Sequence, residues 1–159
     1  MRTIRFLVLI LFACNLSAVE TLRLPNIFGD RMVLQRDKPV RVWGWAKPNA
    51  EVTVAFAEQS KTAKANGEGQ WTLQLDKLTT SFKGRELAVS SGAEKITLTN
   101  LLVGEVWVCG GQSNMEWSLR ASRDSDLEVA SVDAPHIRFI RLPHVAWPDP
   151  KEDFPVANE

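Results

Sequence analysis

The sequence predicts a β-rich N-terminal domain of sandwich or jelly-roll type, followed by the start of an α/β domain. From residue 20 to about 103, short stretches of alternating apolar and polar residues follow one another closely. Gly, Pro and Asn turn signals separate them, as in small two-sheet β-domains. Near Asn100 the pattern changes. A near-continuous apolar run ends in a glycine pair, and a helix-compatible stretch and another apolar strand come after it. Strand, helix, strand opens a parallel βαβ unit.

The elements follow in order. Met1–Arg5 carries Arg2 and Arg5, Phe6–Ala13 is unbroken apolar sequence, and Ser17-Ala18 are small. This is the pattern of an export signal over 1–18, too short for a membrane anchor, with cleavage after Ala18. Leu11-Phe12-Ala13-Cys14 offers a rival processing site, at which Cys14 would bear lipid. The expected location is secreted or periplasmic, and the mature chain has no transmembrane segment. Loss of the signal leaves Cys109 as the single cysteine, so no internal disulfide is expected. Its place in an apolar run predicts a buried small hydrophobe.

Met32–Gln35 reads as a brief strand after the turn Phe28-Gly29-Asp30. Val40–Trp45 alternates, with Val40, Val42 and Gly44 on one face and Arg41, Trp43 and Trp45 on the other. Pro48-Asn49-Ala50 is a turn, and Val52–Phe56 the next strand. Asn66-Gly67-Glu68-Gly69 carries a hairpin signal. Trp71–Leu75, Leu87–Ser90 and Ile96–Thr99 complete the first domain, expected over 19–100. Val103–Cys109 is predicted to be a strand buried on both faces. A helix is expected over Asp124–Val132, ended by Pro135, and a strand over Ile137–Leu142. Two strands cannot close an α/β domain. The expectation is therefore that 101–159 is the first part of a longer domain.

The net charge is +0 and charged residues are 24 %. Nothing here recommends nucleic acid as a partner. No His/Cys/Asp grouping has ligand spacing, so no metal or cofactor is expected.

Chemistry concentrates in Gly104–Trp117, which reads G-E-V-W-V-C-G-G-Q-S-N-M-E-W. A strand that breaks in glycines and delivers a serine to a helix start is one way to present a serine nucleophile. Free backbone N–H groups at that turn would face a developing oxyanion. By spacing alone, Ser113 reads equally well as a helix cap.

The wider string closely resembles the first block of the sialate O-acetylesterase family, a branch of the SGNH-type (GDSL-like) hydrolases. Asn26–Ala46, N-I-F-G-D-R-M-V-L-Q-R-D-K-P-V-R-V-W-G-W-A, resembles that family's N-terminal β-domain, and Pro135–Pro143, P-H-I-R-F-I-R-L-P, its second strand. The resemblance implies a β-domain followed by a flavodoxin-like α/β hydrolase domain. It also implies removal of O-acetyl groups from sialic acids or other acetylated sugars. Ser113 would be the nucleophile, forming an acetyl-enzyme in the turn Gly111, Gln112, Ser113, Asn114, with its own N–H as one oxyanion donor. Gly110 replaces a serine common in the family, and this removes no catalytic group. The family's other oxyanion donors, a Gly and an Asn, and its Asp-x-x-His base come from later blocks absent from these 159 residues. The chain alone is therefore expected to be inactive or nearly so.

Asp133-Ala134-Pro135-His136 has the Asp-x-x-His spacing, but it precedes the segment similar to the family's second strand. It is read as a decoy, with His136 and His144 as surface residues. Asn114 either orients the turn or touches substrate. Met115 and Trp117 are read as packing residues, and Glu116 as a favourable charge at the helix start. Trp43, Trp45 and Trp71 either fill a β-core or line a sugar platform. The platform would support a different function, a non-catalytic carbohydrate-binding module. A purely structural scaffold is the third reading.

Overall fold

The computed structural model describes residues 22–142, 148–149, 151 and 153–154. The expected export signal, Cys14 and His144 lie outside them.

Alternation builds seven strands: β1 (Val33–Gln35), β2 (Val40–Trp45), β3 (Glu51–Phe56), β4 (Gln59–Lys64), β5 (Gln70–Leu75), β6 (Ser81–Ser91) and β7 (Glu94–Gly104). They form a five-stranded sheet in the order β1-β7-β6-β3-β4 and a two-stranded sheet, β2-β5. β1 runs parallel to β7, and the other pairs are antiparallel. The β-rich domain expected from the sequence is the body of the protein.

Period-two patterning fills the space between the sheets. β2 turns Val40 and Val42 inward opposite Leu75 and Leu73 of β5. Gly44 sits opposite Trp71. The large sheet answers with Val52, Val54 and Phe56 of β3, Leu87 and Val89 of β6, and Leu101 and Val103 of β7. All join one core cluster, and no polar side chain is buried among the described residues. Full burial of each such aliphatic or aromatic side chain contributes about 1.5–3 kcal/mol.

Several elements differ from expectation. β4, Gln59-Ser60-Lys61-Thr62-Ala63-Lys64, was not expected as a strand, because its only apolar side chain is Ala63. It is an edge strand held by its ladder to β3. The Asn66–Gly69 turn does not close a hairpin. β4 pairs with β3 and β5 with β2, so the turn carries the chain from one sheet to the other. Asn66 organises it: its Oδ1 accepts from the Glu68 and Gln70 amides at 3.0 and 2.8 Å.

After β7 the expected strands do not form. The strand ends at Gly104, and Val106–Cys109 and Ile137–Leu142 have no ladder. An isolated strand has no partner for its backbone N–H and C=O groups, and apolar composition alone cannot hold it extended. The helix α1 (Ser125–Ser131) does form, with Asp126 and Glu128 in its first turn.

Candidate functional site

The last residues of β7 aim the chain toward the Gly-Gln-Ser turn. Glu105, just past the strand end, accepts from Gln35 Nε2 at 3.1 Å and Arg36 Nε at 2.7 Å. Gln35 Oε1 in turn accepts from the Val106 amide at 3.0 Å. These hydrogen bonds, with the neighbouring Arg36 charge, hold the Glu105 carboxyl below its ordinary pKa. The direction in which the chain leaves the β-domain is therefore fixed by β1 and the residue after it.

Ser113–Glu116 is one turn of 3₁₀ helix, closed by the Met115 amide donating to Gln112 O at 2.8 Å. Ser113 is its first residue and Gln112 its cap, and no side chain caps the turn. The capping role that competed with the nucleophile reading is thus not what Ser113 does. Its hydroxyl forms no hydrogen bond among the described residues, and the residue is exposed. At Gly111 a Cβ would lie 2.6 Å from Met115 Cγ, an atom of an exposed side chain. A turn this short gathers few backbone dipoles, so any oxyanion stabilisation rests on individual N–H groups.

The surroundings correct two expectations. Cys109 is an exposed free thiol, not a buried hydrophobe. Met115 and Trp117 do not pack into a core, and are 53 % and 69 % exposed. Leu127, Val129, Val132, Phe139 and Ile140 are also exposed. His136 rests on Phe82 of β6, with ring centroids 4.7 Å apart. It is exposed, as the surface reading expected, and the ring contact with Phe82 was not anticipated. Among the described residues no group of His, Cys, Asp or Glu side chains could hold a metal ion, and no helix is long and apolar enough to cross a membrane.

Trp43, Trp45 and Trp71 do not form an open platform. Trp71 points into the core, and its Nε1 has no partner. Trp45 is buried beneath Arg23, whose guanidinium carbon lies 3.6 Å from the ring centroid. Trp43 alone is half-exposed; Phe28 meets it edge-on at 5.0 Å and Arg41 lies 5.5 Å from its centroid.

Sequence reasoning missed the residues that tie the segment after Gly104 back to the β-domain. Arg138 and Asp153 bond to residues more than a hundred positions upstream, and no local pattern marks such partners.

The architecture resembles part of a known carbohydrate acetylesterase. A crystal structure of a carbohydrate acetylesterase from Xanthomonas citri matches with a TM-score of 0.68 and 38 % identity, over 72 % of this chain and 26 % of that one. The curated relatives are more specific. Sialate O-acetylesterases of Homo sapiens and Pongo abelii are each 31 % identical over 138 residues, and that of Mus musculus is 27 % identical over 136. Each alignment covers 79 % of this chain. The chain is therefore related to the sialate O-acetylesterases, as its motifs indicated. It spans about a quarter of the length of these relatives. No protein-family model matches it.

Proposed function

We propose that this chain is the nucleophile-bearing part of a secreted or periplasmic serine esterase that removes O-acetyl groups from sialic acid or other acetylated sugars. Ser113 is the nucleophile. Its Oγ attacks the acetyl carbonyl, the Ser113 N–H is one of the groups that receive the oxyanion, and the sugar hydroxyl leaves. Water then releases acetate from the acetyl-serine and regenerates the hydroxyl. The reading is carried by one observation: an exposed serine, its hydroxyl without a hydrogen bond among the described residues, stands at the start of a short turn in a chain related to acetylesterases.

The reaction needs a base to take the serine proton and further oxyanion donors, because a serine hydroxyl alone is a weak nucleophile near neutral pH. Among the described residues, none bonds to Ser113. In the whole enzyme those groups come from a flavodoxin-like SGNH domain, of which 101–159 is the first part and 19–100 the preceding β-domain. That domain covers the apolar side chains exposed between Val106 and Leu142. The 159 residues alone are inactive on this reading. Residues 1–18 act as the export signal, with lipid attachment at Cys14 as the other processing route.

The carbohydrate-module reading finds less support, since only Trp43 of the three tryptophans is available to stack on a sugar. The test is acetate release from acetylated sugars by the full-length enzyme. Ser113→Ala abolishes it on this account, and undiminished release overturns the assignment.

A further inference from the structure

Two strings resembling esterases, Asn26–Ala46 and Pro135–Pro143, are joined in space by the side chain of Arg138. Arg138 Nη1 donates to Arg31 O at 2.8 Å and Asn100 O at 2.6 Å, and its Nη2 to Asn100 Oδ1 at 3.3 Å. Three oxygen acceptors from two residues thus face one guanidinium. Neither residue has ordinary strand geometry. Arg31 has φ 63° and Asn100 φ 59°, in the left-handed region that non-glycine residues rarely occupy. Each turns a peptide unit away from the path a regular strand would follow.

The surroundings hold that geometry in place. Asp30 Oδ1 accepts from the Thr99 amide at 2.6 Å and the Thr99 hydroxyl at 3.0 Å, while the Arg31 amide donates to Thr99 O at 2.9 Å. Gly84 leaves room opposite: a Cβ there would lie 2.5 Å from Asn100 Oδ1 and 3.2 Å from Asn100 Cα. The β6–β7 register slips on both sides of Arg85, beside this point.

We propose that Arg31 O, Asn100 O and Asn100 Oδ1 form a guanidinium-binding cup on the β-domain, and that Arg138 docks in it to anchor the Ser113-bearing segment. A planar fork with fixed N–H directions reaches these acceptors from two nitrogens, whereas an ammonium gathers its three donors on a single nitrogen. Arg138 is a positioning residue, with the His136–Phe82 contact beside it. The anchor does not depend on Ser113 being a nucleophile.

Trypsin tests it, because the arginine must leave the cup before the protease can take it. Arg141, three residues on in the same exposed segment, is the internal control. The 159-residue chain is digested briefly, and cleavage after Arg138 and after Arg141 is quantified by mass spectrometry. The ratio is normalised to that in the urea-denatured chain. The cup predicts cleavage after Arg138 at least tenfold slower than after Arg141. Asn100→Gly, which keeps the backbone conformation and removes Oδ1, should raise the Arg138 rate severalfold and leave Arg141 unchanged. Arg138→Lys, which leaves the β-domain untouched, should also abolish most of the protection. Equal normalised rates at the two bonds in the wild type, or protection that survives Arg138→Lys in full, would overturn the proposal.

Discussion

Gly44→Ala tests how the N-terminal strap, residues 22–24 ahead of β1, is joined to the small sheet through the bridge between Arg23 and Trp45. The strap crosses β2 at Arg23, whose amide donates to Trp45 O at 2.8 Å and whose carbonyl accepts from the Trp45 amide at 2.9 Å. A Cβ on Gly44 would lie 2.2 Å from Arg23 O and 3.1 Å from Trp71 Cζ2. The first neighbour is backbone and cannot rotate away. Either the strap lifts off or the sheet shifts into the core. Lifting off breaks two backbone hydrogen bonds, each with a net contribution of about 1 kcal/mol. It also exposes Leu22, 7 % exposed in the native fold, at a cost of roughly 2 kcal/mol. Shifting instead overpacks the core, at about 1–3 kcal/mol. The cheaper route sets the outcome, so a loss of about 1–3 kcal/mol is expected. For a domain of this size each kcal/mol lowers Tm by roughly 4–8 °C. Gly29→Ala is the control, since nothing lies within 4 Å of a Cβ there, and it should change stability by less than about 0.5 kcal/mol. Urea and thermal unfolding of both variants decide the matter. A Gly44→Ala variant as stable as Gly29→Ala would refute the strap's tight apposition to β2.

Two further outcomes follow. Phe56→Ala, at a side chain 1 % exposed, should cost about 3–5 kcal/mol in urea unfolding, whereas Phe82→Ala, at one 65 % exposed, should cost under about 1 kcal/mol. Asp30 is held below its ordinary pKa by its Thr99 hydrogen bonds, and Glu105 by those from Gln35 and Arg36. A depressed folded pKa stabilises above the unfolded value and is lost as pH falls through the folded one. The Tm advantage of wild type over Asp30→Asn and Glu105→Gln should therefore be full near neutrality and fade below about pH 4; an advantage independent of pH would contradict both assignments.

What the sequence disclosed depended on how locally each feature is determined. β2 was legible because Val40, Val42 and Gly44 face the core in strict alternation, and that pattern is written in adjacent residues. β4 was not, since an edge strand held by its ladder needs little apolar surface. Asn66–Gly69 was read as a hairpin because its turn chemistry is local. Which strands it joins is decided elsewhere, by β2 and β3 claiming β5 and β4. Val106–Cys109 has the composition of a buried strand, yet composition supplies no neighbour to pair with. The Ser113 turn was legible because glycine, serine and their spacing specify it. The Arg138 cup was not, because two left-handed residues far apart in the chain build it.

The central claim is that Ser113 performs the nucleophilic chemistry. Its most direct test is covalent capture: the full-length enzyme is treated with a fluorophosphonate, which attaches only to activated serines, and digested for peptide mapping. The account predicts adduct on the peptide bearing Ser113, lost in Ser113→Ala together with acetate release, and none on the isolated 159-residue chain. An adduct on a different serine in an active enzyme, with Ser113 unmodified, would contradict it.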